Sequence, residues 1–86
     1  MNEQDYINEI VSVQVSLTKT ETLFVKLFAL GMSDDEIATI SERSTKTIRR
    51  HRQRVLDKLN QESGDNLHFN SSKLVYWSNF STYAPE

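Results

Sequence analysis

Thr18-Lys19-Thr20-Glu21 and Ser33-Asp34-Asp35-Glu36 are two capping boxes in one short stretch of chain. In each, a hydroxyl accepts from the amide three residues on, and the glutamate reaches back to the amide of the capping residue. Gly31, free to take positive φ, stops the helix that the first box opens. Ser44 supplies a third cap. This punctuation predicts short helices over about 19–30, 33–41 and 45–59, joined by tight turns. Each has an apolar side. Phe24, Val25 and Phe28 stripe the first, with Leu17 as a staple. Ile37, Ala38 and Ile40 are expected to be buried on the second. Ile48, Val55 and Leu59 form the seam of the third, with Leu56 and the stem of Arg52 at its edge.

The flanks are less strongly written. Ile7, Ile10 and Val11 suit a helix over 4–13, whereas Val11, Val13, Val15 and Leu17 alternate as in a strand. The helix is the expectation. Residues 60–70 are turn-rich, and Ser71 or Ser72 is expected to cap a last helix carrying Leu74, Val75, Trp77 and Phe80. The fold class is therefore all-α, a small helical bundle of about four to five helices with a helix-turn-helix. Residues 1–86 form one domain, with an N-terminal extension (1–16), a core (17–60), and a turn and C-terminal aromatic helix (61–86).

Composition narrows the function. With 86 residues, a chain buries roughly 60–65% of its unfolded surface. There is no Cys, which excludes disulfides and thiolate metal sites and fits a reducing, cytoplasmic and nucleoid-associated location. No apolar run approaches the ~20 residues that span a membrane, and the N-terminus is acidic, unlike a secretory signal. Only one Pro and two Gly argue against a long linker.

Charge is unevenly placed. Residues 44–58, STKTIRRHRQRVLDK, hold six Lys or Arg against one acid; the rest of the chain has four bases and eleven acids, and the net charge is −2. Ordinary surface helices alternate charge at i, i+4. A helix charged almost entirely one way, set behind a short helix and a tight turn, carries the footprint of a segment lying against phosphates. A major groove about 12 Å wide admits one helix. Arg49 and Arg50 can pair with guanine O6/N7, and Gln53 with adenine N6/N7. Ser44, Thr45 and Thr47 put hydroxyls and amides at a helix N-terminus. Lys46, Arg54 and Lys58 flank the face and suit phosphates, and Arg43 adds another phosphate contact.

These residues carry a resemblance. Residues 17–60 are similar to the LuxR/GerE-type DNA-binding domain of bacterial transcription regulators. The matching positions are Leu17-Thr18, Glu21, Ala29-Leu30-Gly31, then Ser33, Glu36, Ile37 and Ala38, then Ser44, Thr47, Ile48, Arg49 and His51, and finally Val55 and Lys58-Leu59. The resemblance implies a four-helix core with 45–59 as recognition helix, Arg49, Arg50 and Gln53 facing bases, and dimers on paired half-sites. It implies double-stranded DNA as partner; no cofactor is expected. Two places depart from the pattern. Ser41 stands where the family carries Leu, with Ile40 as the expected replacement, and some ten residues separate Leu59 from the last helix. No receiver or ligand-sensing domain fits before Leu17, so a stand-alone regulator is the expectation.

Competing readings are weaker. His51 has no second His or Cys at ligand spacing, so no metal site is expected. It is expected to pack beside the seam or to bond to a phosphate. Glu21 and Glu36 resemble a carboxylate pair, but their cap positions account for them, and no enzyme is expected. The rival is a small antagonist that keeps the fold and binds another regulator. Its surface would be the Leu23/Leu27/Leu30 stripe or the C-terminal aromatics. That stripe is expected to be covered by residues 4–13 or by the tail. Val75, Tyr76, Trp77 and Phe80 form a candidate homodimer or partner surface, with Leu74 and Trp77 expected to turn inward and Tyr83 adding a further aromatic. A sigma-factor-like region ranks below both readings because of His51.

Overall fold

A computed structural model of the chain describes residues 2–63 and 67–81. Five α-helices follow in order: α1 (Glu3–Ser12), α2 (Lys19–Ala29), α3 (Asp34–Ser41), α4 (Thr45–Glu62) and α5 (Ser71–Phe80). The class is all-α, as expected. Tyr83 and Gly64 lie outside the described residues.

The local signals explain the element boundaries. Both capping boxes form: Thr18 accepts from the Glu21 amide at 3.1 Å and Glu21 accepts from the Thr18 amide at 2.9 Å, and Ser33 and Glu36 repeat the exchange. Gly31 takes φ 77°, closing α2. The α3–α4 turn has no glycine, and Glu42 itself adopts the left-handed conformation at φ 56°. The Arg43 amide then donates to Ala38 O at 3.0 Å, satisfying a carbonyl that the end of α3 leaves open.

Helix α2 is the centre of the bundle. It packs on α4 on one side and on α5 on the other; α3 rests on α4 and α1 on α5. Phe24, Val25 and Phe28 from α2 meet Ile37, Ile48, Val55 and Leu59 from the helix-turn-helix and Ile10, Leu74 and Trp77 from the flanks in one core. The N-terminal ambiguity resolves into both readings in succession. Residues 3–12 are helical, and the chain then extends from Val13, with Val13 and Val15 half-buried and Leu17 fully buried.

Several details differ from expectation. Ile40 is 63% exposed. Ser41, one helical turn beyond Ile37, takes the inward place instead, and its hydroxyl donates to Ile37 O at 2.7 Å, so a polar side chain is tolerated there. Helix α4 continues to Glu62, past the expected end at 59. The cap of α5 is neither Ser71 nor Ser72 but Asn70, which accepts from the Lys73 amide at 3.0 Å. Asn is as good a cap as Ser, and here it sits one residue earlier. Among the described residues no helix is long and apolar enough to cross a membrane.

The turn region is more ordered than its composition suggests. Leu67 and Phe69 are buried. The Asn60 side chain receives the Phe69 amide at 2.6 Å and donates to Phe69 O at 3.3 Å. Ser63 Oγ donates to Leu67 O at 2.9 Å. A side-chain amide and a hydroxyl here serve backbone groups that no secondary structure serves.

Candidate nucleic-acid interface

Helix α4 divides by periodicity into two faces. Ile48, Val55, Leu56 and Leu59 are buried. Lys46, Arg49, Arg50, Gln53, Arg54 and Asp57 are exposed. The N-terminus of α4 carries no acid in its first turn. Ser44 caps it, accepting from the Thr47 amide at 3.1 Å, and the two hydroxyls lie 2.9 Å apart. Thr45 donates to Asp35 Oδ1 at 3.0 Å, so its hydroxyl is committed to α3. The first-turn amides of α4 other than that of Thr47 keep the orphan-donor character of a helix start.

The basic side chains have different surroundings. Arg50 and Arg54 are exposed. Arg49 is 73% exposed, with Nε 3.7 Å from Asp34 Oδ2. Gln53 donates to Asp57 Oδ1 at 2.8 Å, one turn along the same face. Arg43 lies with its guanidinium 5.7 Å from the centre of the Phe24 ring. Arg52 is drawn under the helix: its guanidinium lies 4.5 Å over Phe28, and Nη2 approaches Asp34 Oδ1 to 2.7 Å. That approach is an ion contact rather than an aligned hydrogen bond, since Oδ1 and Arg52 Nε are both buried without a hydrogen-bond partner.

Lys58 departs from its expected place among the phosphate contacts. Its ammonium donates to Glu21 Oε1 at 2.6 Å and to Ser16 O at 2.9 Å. Glu21 is thus more than a cap. Burial alone raises its carboxyl, but the Lys58 bond and the Thr18 amide outweigh that and hold its pKa below the ordinary 4.5. Lys58 is a structural tie from α4 to α2 and to the extended segment, its ammonium engaged by Glu21 and Ser16 rather than standing free for a phosphate.

His51 packs, as one of its two expected roles required. Its ring stacks on Phe24, centroids 4.5 Å apart and planes 17° apart, with Nδ1 buried and unpaired. Burial, then the charges of Arg54 and Arg43, push its pKa below the ordinary 6.5, against an opposing pull from Glu21. The imidazole therefore serves as a flat neutral spacer between α2 and α4. Among the described residues no cluster of His, Asp or Glu is set to hold a metal ion.

The candidate partner surfaces divide. Trp77 is fully buried and its indole N–H donates to Val13 O at 2.8 Å, so, contrary to its place among the expected partner residues, it offers no surface. Its Nε1–H finds a carbonyl only because the segment after α1 is extended. Val75 is half-buried, while Tyr76 and Phe80 are 50% and 64% exposed and stack on one another. Leu27 packs against the core, but Leu23 and Leu30 stay 56% and 74% exposed. Neither α1 nor α5 covers them, contrary to expectation.

Asp34 and Asp35 are the residues that sequence reasoning underrated. Acids in the first turn of α3 suit the positive end of its dipole, yet both also reach across to α4. Only the excess of acid in that first turn hinted at a second role.

No curated protein and no solved structure matches the chain significantly. A family model does match, that of the bacterial regulatory proteins of the luxR family (GerE), over residues 15–67. This stretch begins in the extended segment, holds α2, α3 and α4 entire, and leaves α1 and α5 outside. The chain therefore belongs to the luxR family of bacterial regulatory proteins, DNA-binding helix-turn-helix transcription regulators.

Proposed function

We propose that the chain regulates transcription by docking α4 in the major groove of a specific operator, as a homodimer. The observation that carries this reading is the exposed face of α4. Lys46, Arg49, Arg50, Gln53 and Arg54 stand on it in a chain whose net charge is −2. Arg49 and Arg50 read guanine edges, and Gln53 reads adenine once it releases Asp57. Lys46, Arg54, Arg43, Ser44, Thr45 and Thr47 face phosphates, the first two by charge and the others by hydroxyls, amides and a guanidinium at the start of α4. Tyr76 and Phe80 are the apolar side chains of α5 best placed for a second copy, since aromatic residues are enriched at interfaces. Double-stranded DNA is the partner.

Sequences selected from random DNA provide the test. Two half-sites of opposite direction are expected, with affinity falling steeply as salt rises because several phosphates are neutralised per protomer. Arg49→Ala or Arg50→Ala costs roughly 1–3 kcal/mol of binding and relaxes base preference, whereas Arg54→Ala weakens all sequences alike. Selected-site binding that survives the Arg49/Arg50 double substitution would overturn the base readers. The second reading, an antagonist that binds another regulator, draws on the exposed Leu23 and Leu30. A flat salt response with random DNA would favour it.

A further inference from the structure

Asp34 is the first residue of α3 and touches two arginines of α4. Its side chain is 26% exposed, and that of Arg52 is 19% exposed. Arg52 sits over Phe28 and presses Nη2 against Asp34 Oδ1 at 2.7 Å. The carboxylate is thereby held by a partner that is itself fixed in the bundle. Its other oxygen, Oδ2, faces Arg49 Nε at 3.7 Å. Asp35 beside it accepts from Thr45, so the first turn of α3 is tied to the start of α4 at two points.

A guanidinium carries five N–H groups in a fixed fork and offers more than one donor edge. An acid on the Nε side leaves the edge made by the two terminal nitrogens open, and that edge can span guanine O6 and N7. Arg49 is otherwise a long, exposed side chain that would lose rotamer freedom on entering the groove. A carboxylate already biasing its direction lowers that ordering cost. The same carboxylate repels nearby phosphates whatever the sequence.

We propose that Asp34 is a positioning residue for base readout: anchored by Arg52, it orients Arg49 from behind for guanine and disfavours DNA that offers no guanine there. The inference rests on the proposed docking of α4. It predicts opposite signs for two quantities that a merely structural role would lower together. Discrimination falls when the carboxylate is lost, while binding to unrelated DNA holds or strengthens.

The test uses the whole chain and a site obtained by selection, together with that site altered at the guanine read by Arg49. For Asp34→Asn the ratio of the two affinities is expected to drop by at least about threefold, the lower range for groups that act together, with binding to unrelated DNA equal or tighter. In an Arg49→Ala background the same substitution is expected to leave the ratio unchanged, and Asp34→Glu is expected to restore most of the ratio. An unchanged ratio, or an equal drop with and without Arg49, overturns the proposal and leaves groove docking standing. Absence of any DNA binding by the unaltered protein overturns both. Should Asp34→Asn fail to fold, hydrogen exchange at Nε–H in the unaltered free protein decides: slower exchange at Arg49 than at Arg50 supports the proposal, and equal rates overturn it.

Discussion

The helix-turn-helix pair and the α1/α5 flank reach order by different means. Helices α3 and α4 share the buried Ile37, Ala38 and Ile48, and polar detail is added to that burial: the Asp35–Thr45 bond, the Asp34–Arg52 contact and the left-handed Glu42 between them. Helices α1 and α5 are joined by bulk, with Ile10, Leu74 and Trp77 fully buried, and one indole bond to the extended segment. Polar ties fix angles, because hydrogen bonds and ion pairs have preferred directions. Apolar burial fixes proximity and supplies most of the stability, because it scales with area and has no direction. A surface that must present side chains to another molecule gains from the first kind of order, and a cover gains from the second. The luxR-family match follows the same division, taking in α2 to α4 and omitting the flank helices.

The largest effect that tests this contrast is Trp77→Ala. It is expected to cost about 3–5 kcal/mol, as truncating a buried aromatic does, read as the loss of unfolding free energy in urea. Operator affinity of the folded fraction should hold. If α4 keeps its amide protection while α5 loses its own, the two regions unfold separately and differ in stability as well as in the kind of contact. Next comes Lys58→Met, which strands the buried Glu21 carboxylate. A cost of about 1–3 kcal/mol is expected, with non-specific DNA binding unchanged because the ammonium faces inward. A marked drop in DNA affinity at equal stability would return Lys58 to the phosphate set. The caps come third. Ser33→Ala and Asn70→Ala should each cost about 1 kcal/mol, but only the first should also weaken DNA binding, through the α3–α4 angle.

The smallest effect is on pH. The fold holds His51 below its ordinary 6.5 and so favours the neutral ring. Its contribution is whole above that value and is lost as pH falls below it. Glu21, held below 4.5, keeps its contribution to lower pH and loses it as pH falls through its depressed value. The urea midpoint should therefore decline in two stages on acidification. In His51→Phe, which keeps a ring on Phe24, the first stage should vanish, and its persistence would remove His51 from this role.

What could be read from sequence follows the same line between direction and bulk. Caps act within four residues, so Thr18, Ser33 and Ser44 announced three helices and their order. The basic face of α4 was visible because its periodicity and charge lie in one element. The choice between Ile40 and Ser41 was not, because it turns on one hydroxyl satisfied by its own helix. Leu67 and Phe69 were hidden in a turn-rich run, and their burial depends on Asn60, a residue that composition counts as a loop former. Lys58 reads as part of the basic surface until its tertiary contact with Glu21 draws it away, whereas Arg52, expected at the edge of the seam, is held there by Phe28 and Asp34. Charge counts overstated the face, and the fold pared it down.

Trp77 is the only tryptophan of the chain, buried and bonded to Val13 O. Its emission should therefore be blue-shifted in the native protein and move to longer wavelength on unfolding. The indole belongs to the flank, away from Arg49 and Arg50, so the signal should stay nearly silent when DNA is added. The molecule thus contains an intrinsic optical probe of its cover, against which a label on α4 can be read independently.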